Sequence, residues 1–411
     1  KEGAKAMNHF IIFHHKARRF AEYIIQYSKI EEMSYIGSTT YEIRNLPDNN
    51  SEHFAELPDE LRRLLFFAKP DVVICYDNGI RPIFPIFAFE VTNHVPARDH
   101  WLQRFNNLVG CAQIGVPGAY VLPFDLSNHP RFPSKLDSAF FYAYDRVMEI
   151  HQTPFYIAEW ESDDKRTLNI DTTFSDLPKH DSQPIVKTIS FLNKVLDAAI
   201  NGTPVSLLLQ ERLIVNLRDD MRGRAYSPIP KISDFARLTK NMVNGDFLPW
   251  GDVVTWLDGK GISVPANIPE RIVKRTRNLI FTPIADKRGK TAAQLRASLN
   301  RRIKEKGADP YLGQPLAFDY MFCRLGTTPY ERDTNVIIDL SMLSFGDFSC
   351  YHSKVWNSCP LQNNDLTQIR NIPEYTMYLT EGCAQVMKNF LRVYSFTADL
   401  IIFKEGLVYF A

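Results

Sequence analysis

Between Lys69 and Phe124 the chain alternates short apolar runs with turn residues, and this leaves few folds open. The stretch reads K-P-D-V-V-I-C-Y-D, then N-G-I-R-P, then I-F-A-F-E-V-T-N-H, and it closes on A-Y-V-L-P-F. Val72–Cys75 and Phe87–Val91 are β-branched or aromatic and bounded by Pro, Asp and Gly, so they predict strands. Asn78-Gly79 is a strong turn signal between them. After Pro96, Trp101, Phe105 and Leu108 recur at helical spacing from about Ala97, with Gly110 and Gly115 near the exit. The expected order is strand, turn, strand, helix, strand.

The position of the acids on this frame suggests chemistry. Asp71 opens the first strand and Glu90 lies near the end of the second. Antiparallel pairing would set Asp71 beside Glu90 and Thr92 and leave Asp77 at the turn end. A slip of one residue would not exchange the ends. Two carboxylates at one end of a hairpin suit Mg²⁺, which takes one or two carboxylates and keeps several waters. Such an ion activates a water and stabilises the charge on a phosphodiester under attack. Mn²⁺ is the natural substitute.

Pro70-Asp71, a spacer, Glu90-Val91-Thr92, then helix and strand resembles the PD-(D/E)xK nuclease superfamily, which includes most restriction endonucleases. The resemblance covers roughly residues 55–125. It implies a restriction-endonuclease-like mixed α/β sheet flanked by helices, and metal-dependent cleavage of DNA, less often RNA. By this resemblance Asp71 and Glu90 hold the metal, and Thr92 occupies the position where the family usually has Lys. Glu60, in E-L-P-D-E-L-R-R-L-L, matches the upstream helical acid of many relatives. Lys69 or Arg98 is a candidate for the missing cation.

Each of these residues also has a plainer reading. Asp71 after Pro70 is an ordinary turn former. Glu90 sits inside an apolar run, where an unpaired carboxylate would be costly, and Arg98 or Arg104 could pair with it. Thr92 fits any strand, His94 any loop, and Glu60 the solvated face of an amphipathic helix.

The rest of the chain is less specific. At 411 residues, with 45% hydrophobic residues and a net charge of +1, it has the profile of a globular protein of two to three domains. Overall charge therefore points to no partner, and only its distribution can. The six cysteines are scattered with no C-x-x-C pair, which predicts reduced thiols and no zinc site. No apolar run is long enough to span a bilayer and no signal-peptide pattern is present, so a cytoplasmic protein without a membrane partner is expected. Residues 7–30 predict one helix along Phe10, Phe13, Ala17, Phe20, Ala21, Ile24 and Tyr27. Lys135–His151 predicts a helix and Phe155–Trp160 a strand. The polar stretch that begins at Glu161 suggests a boundary, giving a nuclease-like domain over 1–165 and a larger α+β region over 166–411. In that second region Ile189–Ile200, Val205–Leu217, Ile232–Met242 and Trp250–Leu257 read as helical, and Leu316–Leu325, Thr334–Leu340 and Ala398–Phe410 as strands.

Positive charge concentrates at 271–306. Lys274, Arg275 and Arg277 come first with Arg271, then Lys287, Arg288 and Lys290. Arg301 and Arg302 follow on a predicted helix whose other face carries Ala292, Leu295, Leu299 and Ile303. In a chain near neutrality this segregation is the footprint of phosphate-backbone contact. A solvated basic face is the bland counterpart.

The reading that joins these features is a Mg²⁺-dependent endonuclease acting on double-stranded DNA, of the type II restriction kind. A homodimer would suit a palindromic target. The rivals are a DNA-binding protein on a decayed nuclease core, and a nuclease of repair, mobile-element or RNA-processing type. No glycine-rich phosphate loop, G-x-S-x-G elbow or H-E-x-x-H supports an unrelated enzyme.

Overall fold

The strand that anchors the sheet comes from the first residues of the chain. In a computed structural model, β1 runs over Asn8–His14, and Phe10–Phe13 are all buried. The structure describes residues 8–37, 39–47, 52–93, 100–131, 134–136, 138–225, 249–264, 266, 268–281, 334–339, 341, 399–403 and 406–409. The single helix expected over 7–30 is thus a strand followed by α1 (Arg18–Tyr27) and α2 (Lys29–Tyr35). Four consecutive apolar residues fit a strand buried on both faces, and only from Phe20 onward does burial follow the helical period. Lys16, at φ 57°, turns the chain between the two elements.

The expected hairpin forms. It consists of β3 (Val72–Asp77) and β4 (Phe84–Val91), antiparallel, with Val72 opposite Phe89. Its turn is built as the sequence suggests: Gly79 takes φ 67°, and the Asn78 side chain accepts the N–H groups of Ile80 and Arg81. A bulge near Ile74/Cys75 accommodates Pro85, whose missing N–H suits an irregular position.

β2 (Thr39–Asn45), η-type turn 52–56 and α3 (Asp59–Phe67) precede the hairpin, and α4 (His100–Gln113) and β5 (Gly118–Leu122) follow it. Two small hairpins, β6 (Asp125–Leu126) with β7 (Ser134–Lys135) and β9 (Ser162–Asp163) with β10 (Thr167–Leu168), flank α5 (Ser138–His151) and β8 (Phe155–Glu159). The large sheet is mixed, in the order β2-β1-β3-β4-β5-β8. β4, β5 and β8 are parallel neighbours, and β1, β3 and β4 form an antiparallel meander. β4 and β5 approach so closely at Ala88 and Gly118 that a Cβ on Gly118 would lie 2.4 Å from the Ala88 carbonyl oxygen.

Alternation along β4 divides the faces. Phe87 and Phe89 meet Phe20 of α1 and Phe191 of α6 (Gln183–Asn201). Glu90 points to the other side, against α4. The result is a mixed α/β layer with helices on both faces. α6 and α7 (Arg212–Ala225) belong to this first compact unit, which continues to Arg224, beyond the boundary near residue 165 that composition suggests. Arg218 and Arg222 of α7 clamp Asp145 of α5 at 2.6 and 2.8 Å.

The described part of the second unit comprises α8 (Trp250–Asp258), α9 (Glu270–Lys274) and a four-stranded sheet. That sheet runs β11 (Arg277–Phe281), β12 (Thr334–Asp339), β13 (Leu400–Phe403), β14 (Gly406–Tyr409), with the first three parallel. Val253, Leu257, Ile272, Ile280, Ile337 and Ile402 form its core. Within the expected strands Thr334–Leu340 and Ala398–Phe410 the structure places β12 and the antiparallel pair of β13 and β14. The helix expected at 232–242 and the strand at 316–325 lie outside the described residues.

Candidate active site

The start of β3 and the end of β4 meet on the α4 side of the sheet. Asp71 Oδ2 accepts the backbone N–H of Val91 at 2.9 Å, which fixes its carboxylate beside Glu90. Glu90 is fully buried. Its Oε2 accepts from Arg104 Nη1 at 2.8 Å, and the same nitrogen lies 3.5 Å from both Asp71 oxygens. Asn107 Nδ2 donates to Glu90 Oε1, while Asn107 Oδ1 accepts the N–H of Lys69 at 3.1 Å. Arg104 and Asn107 stand three residues apart on α4, hence on one face. Arg104 was one of two basic residues the sequence offered as a partner for Glu90. Asn107 was not anticipated, although its helical spacing from Arg104 was a usable signal.

Two acids face one cation here. Burial pushes the Glu90 carboxyl well above the usual range and the neighbouring Asp71 charge adds to this, against the pull of Arg104 and Asn107. Burial likewise raises Asp71, opposed by Arg104 and the Val91 N–H. Burial works against the charge on Arg104, but Glu90 and Asp71 hold the guanidinium firmly protonated. Tyr120, behind the pair, is raised by burial and by Glu90.

Arg104 joins the pair to a cleft of about 360 Å³ over the end of β4, which neither carboxylate lines and whose wall includes Thr92, Lys16, Arg18, Arg19 and Asp176. Arg18 is engaged with Glu22, and Arg19 with Asp176. Thr92 therefore sits at the mouth of the site, its N–H bound to the Val121 carbonyl.

Asp71, Glu90 and Thr92 thus come together, and Glu60 does not join them. It lines a separate hollow with Arg81 and Phe84, at the opposite end of β4. Lys69 is tied to the site through its backbone, and the cleft wall does not include its side chain. Of the basic positions, Arg275 is turned inward: it is 9% exposed, and its Nη1 donates to Asp399 at 2.8 Å and to Asn335 at 3.0 Å. That places the guanidinium on a buried carboxylate, a partner that competes with the outward phosphate contact expected of it. Lys274 is exposed and paired with Glu270 at 2.7 Å, and Arg277 opens β11. Arg98, Lys287, Arg288, Lys290, Arg301 and Arg302 lie outside the described residues.

Among the described residues no cluster of three or more His, Cys, Asp or Glu could hold a metal, so any cation here would rest on Asp71 and Glu90 alone. Two carboxylates completed by water is a donor set that fits Mg²⁺. Each carboxylate has about four lone-pair sites, more than the bonds to Arg104, Asn107 and Val91 fill; because Glu90 is fully buried, a cation on it would displace part of that bonding. No helix among the described residues is long and apolar enough to cross a membrane. Comparison with known proteins finds no matching family model, no matching curated protein and no matching solved structure.

Proposed function

We propose that this chain is a metal-dependent endonuclease acting on double-stranded DNA, with the chemistry of a type II-like restriction enzyme. One observation carries the reading. Asp71 at the start of β3 and Glu90 at the end of the adjacent antiparallel β4 converge on one guanidinium at the mouth of a cation-lined cleft. The hairpin is followed by a helix and a parallel strand, in keeping with the resemblance read from the sequence.

Asp71 and Glu90 would hold Mg²⁺, or Mn²⁺ in its place, and a bound cation of this kind supplies an activated water and charge for the phosphodiester. The chain's own residues do the positioning. Asn107 and the Val91 N–H orient the two carboxylates, and Arg104 opposes, without overcoming, the upward push that burial gives their carboxyls. The cationic wall of the cleft gives an approaching phosphate a favourable potential. Such an enzyme would work in the cytoplasm, and two copies would match a palindromic target.

A second reading is favoured by a specific feature. Thr92 lacks a charge, and Arg104 bridges both acids as a structural ion pair would, which suits a DNA-binding protein on a decayed nuclease core. Incubation of the protein and its Glu90→Ala variant with unmethylated phage DNA, with Mg²⁺ or with EDTA, separates the two. Discrete fragments from the intact protein with metal alone support the nuclease. Salt-dependent gel retardation by both proteins without cleavage supports the binding module. Preference for ends, junctions or RNA would move the role to repair, mobile-element or RNA processing.

A further inference from the structure

We propose that Lys16 is the residue of the cleft that contacts a phosphate of the bound nucleic-acid strand. The inference takes its ligand, a phosphodiester, from the nuclease reading above. It rests on three features of the cleft.

The first is place. The N–H of His15 donates to the Asp71 carbonyl at 2.8 Å, so the exit of β1 is tied to the residue that opens β3. Lys16 is the next residue, and it lines the same cleft as Thr92 and Arg104. The second is availability. Arg104 holds Glu90 and Asp71, and Arg18 and Arg19 carry exposed pairs with Glu22 and Asp176 that a phosphate would have to compete with, whereas Lys16 is exposed and has no acidic partner among the described residues. A lysine is a compact point charge on a flexible stem, suited to following a phosphate without demanding bidentate geometry. The third is backbone. Lys16 takes φ 57°, a region that non-glycine residues avoid, and this turn sends the chain from β1 into the first turn of α1. Ala17, at the start of α1, offers no side-chain cap and the first turn carries no acid, so the helix end facing the cleft adds positive potential. Together these place an ammonium, unpaired among the described residues, on the cleft wall, within the same cleft as Thr92 and Arg104.

The backbone also provides a clean test. Lys16→Gly deletes the ammonium and suits the left-handed conformation, so the variant folds at least as stably as the parent, as read by circular-dichroism melting. Binding of a fluorescent DNA duplex is measured in EDTA over a series of KCl concentrations, and cleavage is measured with Mg²⁺. The expected result for Lys16→Gly is weaker metal-free binding, a slope of log affinity against log salt smaller by about one, and cleavage lower by about 10²–10³-fold, with partial recovery in Lys16→Arg. A folded Lys16→Gly protein with unchanged salt slope and unchanged cleavage overturns the inference and leaves the nuclease standing. A parent that binds without cleaving, with the slope still reduced in the variant, removes the nuclease and retains the contact. A parent that neither binds nor cleaves the duplex overturns both.

Discussion

The Asp71 carboxylate accepts the backbone N–H of Val91 at 2.9 Å, so the opening residue of one strand buttons the closing residue of its neighbour. This bond separates two roles of Asp71 that substitution can tell apart. Asp71→Asn keeps an acceptor for Val91 and loses the charge; the fold should survive and metal-dependent cleavage should fall by at least about 10²-fold. Asp71→Ala leaves the N–H short of an acceptor and should cost about 1–2 kcal/mol, water reaching part of the site. Urea unfolding of both variants beside a cleavage assay reads the difference.

Arg104 is the counterweight of Glu90. Removing it leaves a fully buried carboxylate without its cation. A fully buried pair broken in this way loses about 3–5 kcal/mol, and because Arg104 is 38% exposed a smaller loss of about 2–3 kcal/mol is expected for Arg104→Ala. Glu90→Gln in the same background should recover much of it, since a neutral amide needs no counter-charge. A double-mutant cycle in which the two losses simply add would contradict this coupling.

The hairpin and its acids were legible because every local rule agreed there: Pro-Asp before a strand, Asn-Gly at the turn, β-branched and aromatic runs between. β1 was not legible. Its F-I-I-F run is short, the helical stripe that starts at Phe20 extends backward onto it by chance, and the turn between them is made by a lysine, a residue that gives no turn signal. That same turn is what brings Lys16 to the cleft wall. The inward turn of Arg275 has no local signal: its partner Asp399 lies 124 residues further along, and charge density in a segment does not show which charges the fold turns inward.

The raised carboxyls set a pH dependence with a definite sign. An acid whose folded pKa lies above its unfolded value binds more protons in the folded state. Glu90 and Asp71 thus lend stability below the ordinary carboxylate range, and that stability is lost as pH rises through their elevated folded values. Melting temperature should fall over this window in the parent and be flatter in Glu90→Gln. Above the window both acids are charged, so Mg²⁺ should stabilise the parent, by about 2.7 kcal/mol at a hundredfold excess over Kd, and raise its melting temperature, and EDTA should remove the gain. A rise with pH in the parent, or an equal Mg²⁺ effect in Glu90→Gln, would count against the two acids as the metal's seat.

Arg275 offers a test of which charges serve the fold. With Arg271 it donates to Asp399, which is fully buried, and Asn335 joins the same network and bonds to Asn278. Arg275→Ala leaves Asp399 one charged donor short, and hydrogen bonds to a charged group contribute about 1.5–3 kcal/mol each. The variant should therefore melt earlier in the second unit while its DNA affinity, measured below the melting transition, keeps the parent's salt slope. Had the guanidinium faced a phosphate, the opposite pattern would follow, with stability unchanged and the slope smaller by about one. Because both quantities are read on one variant, a slope change without a stability change returns Arg275 to the phosphate-binding surface.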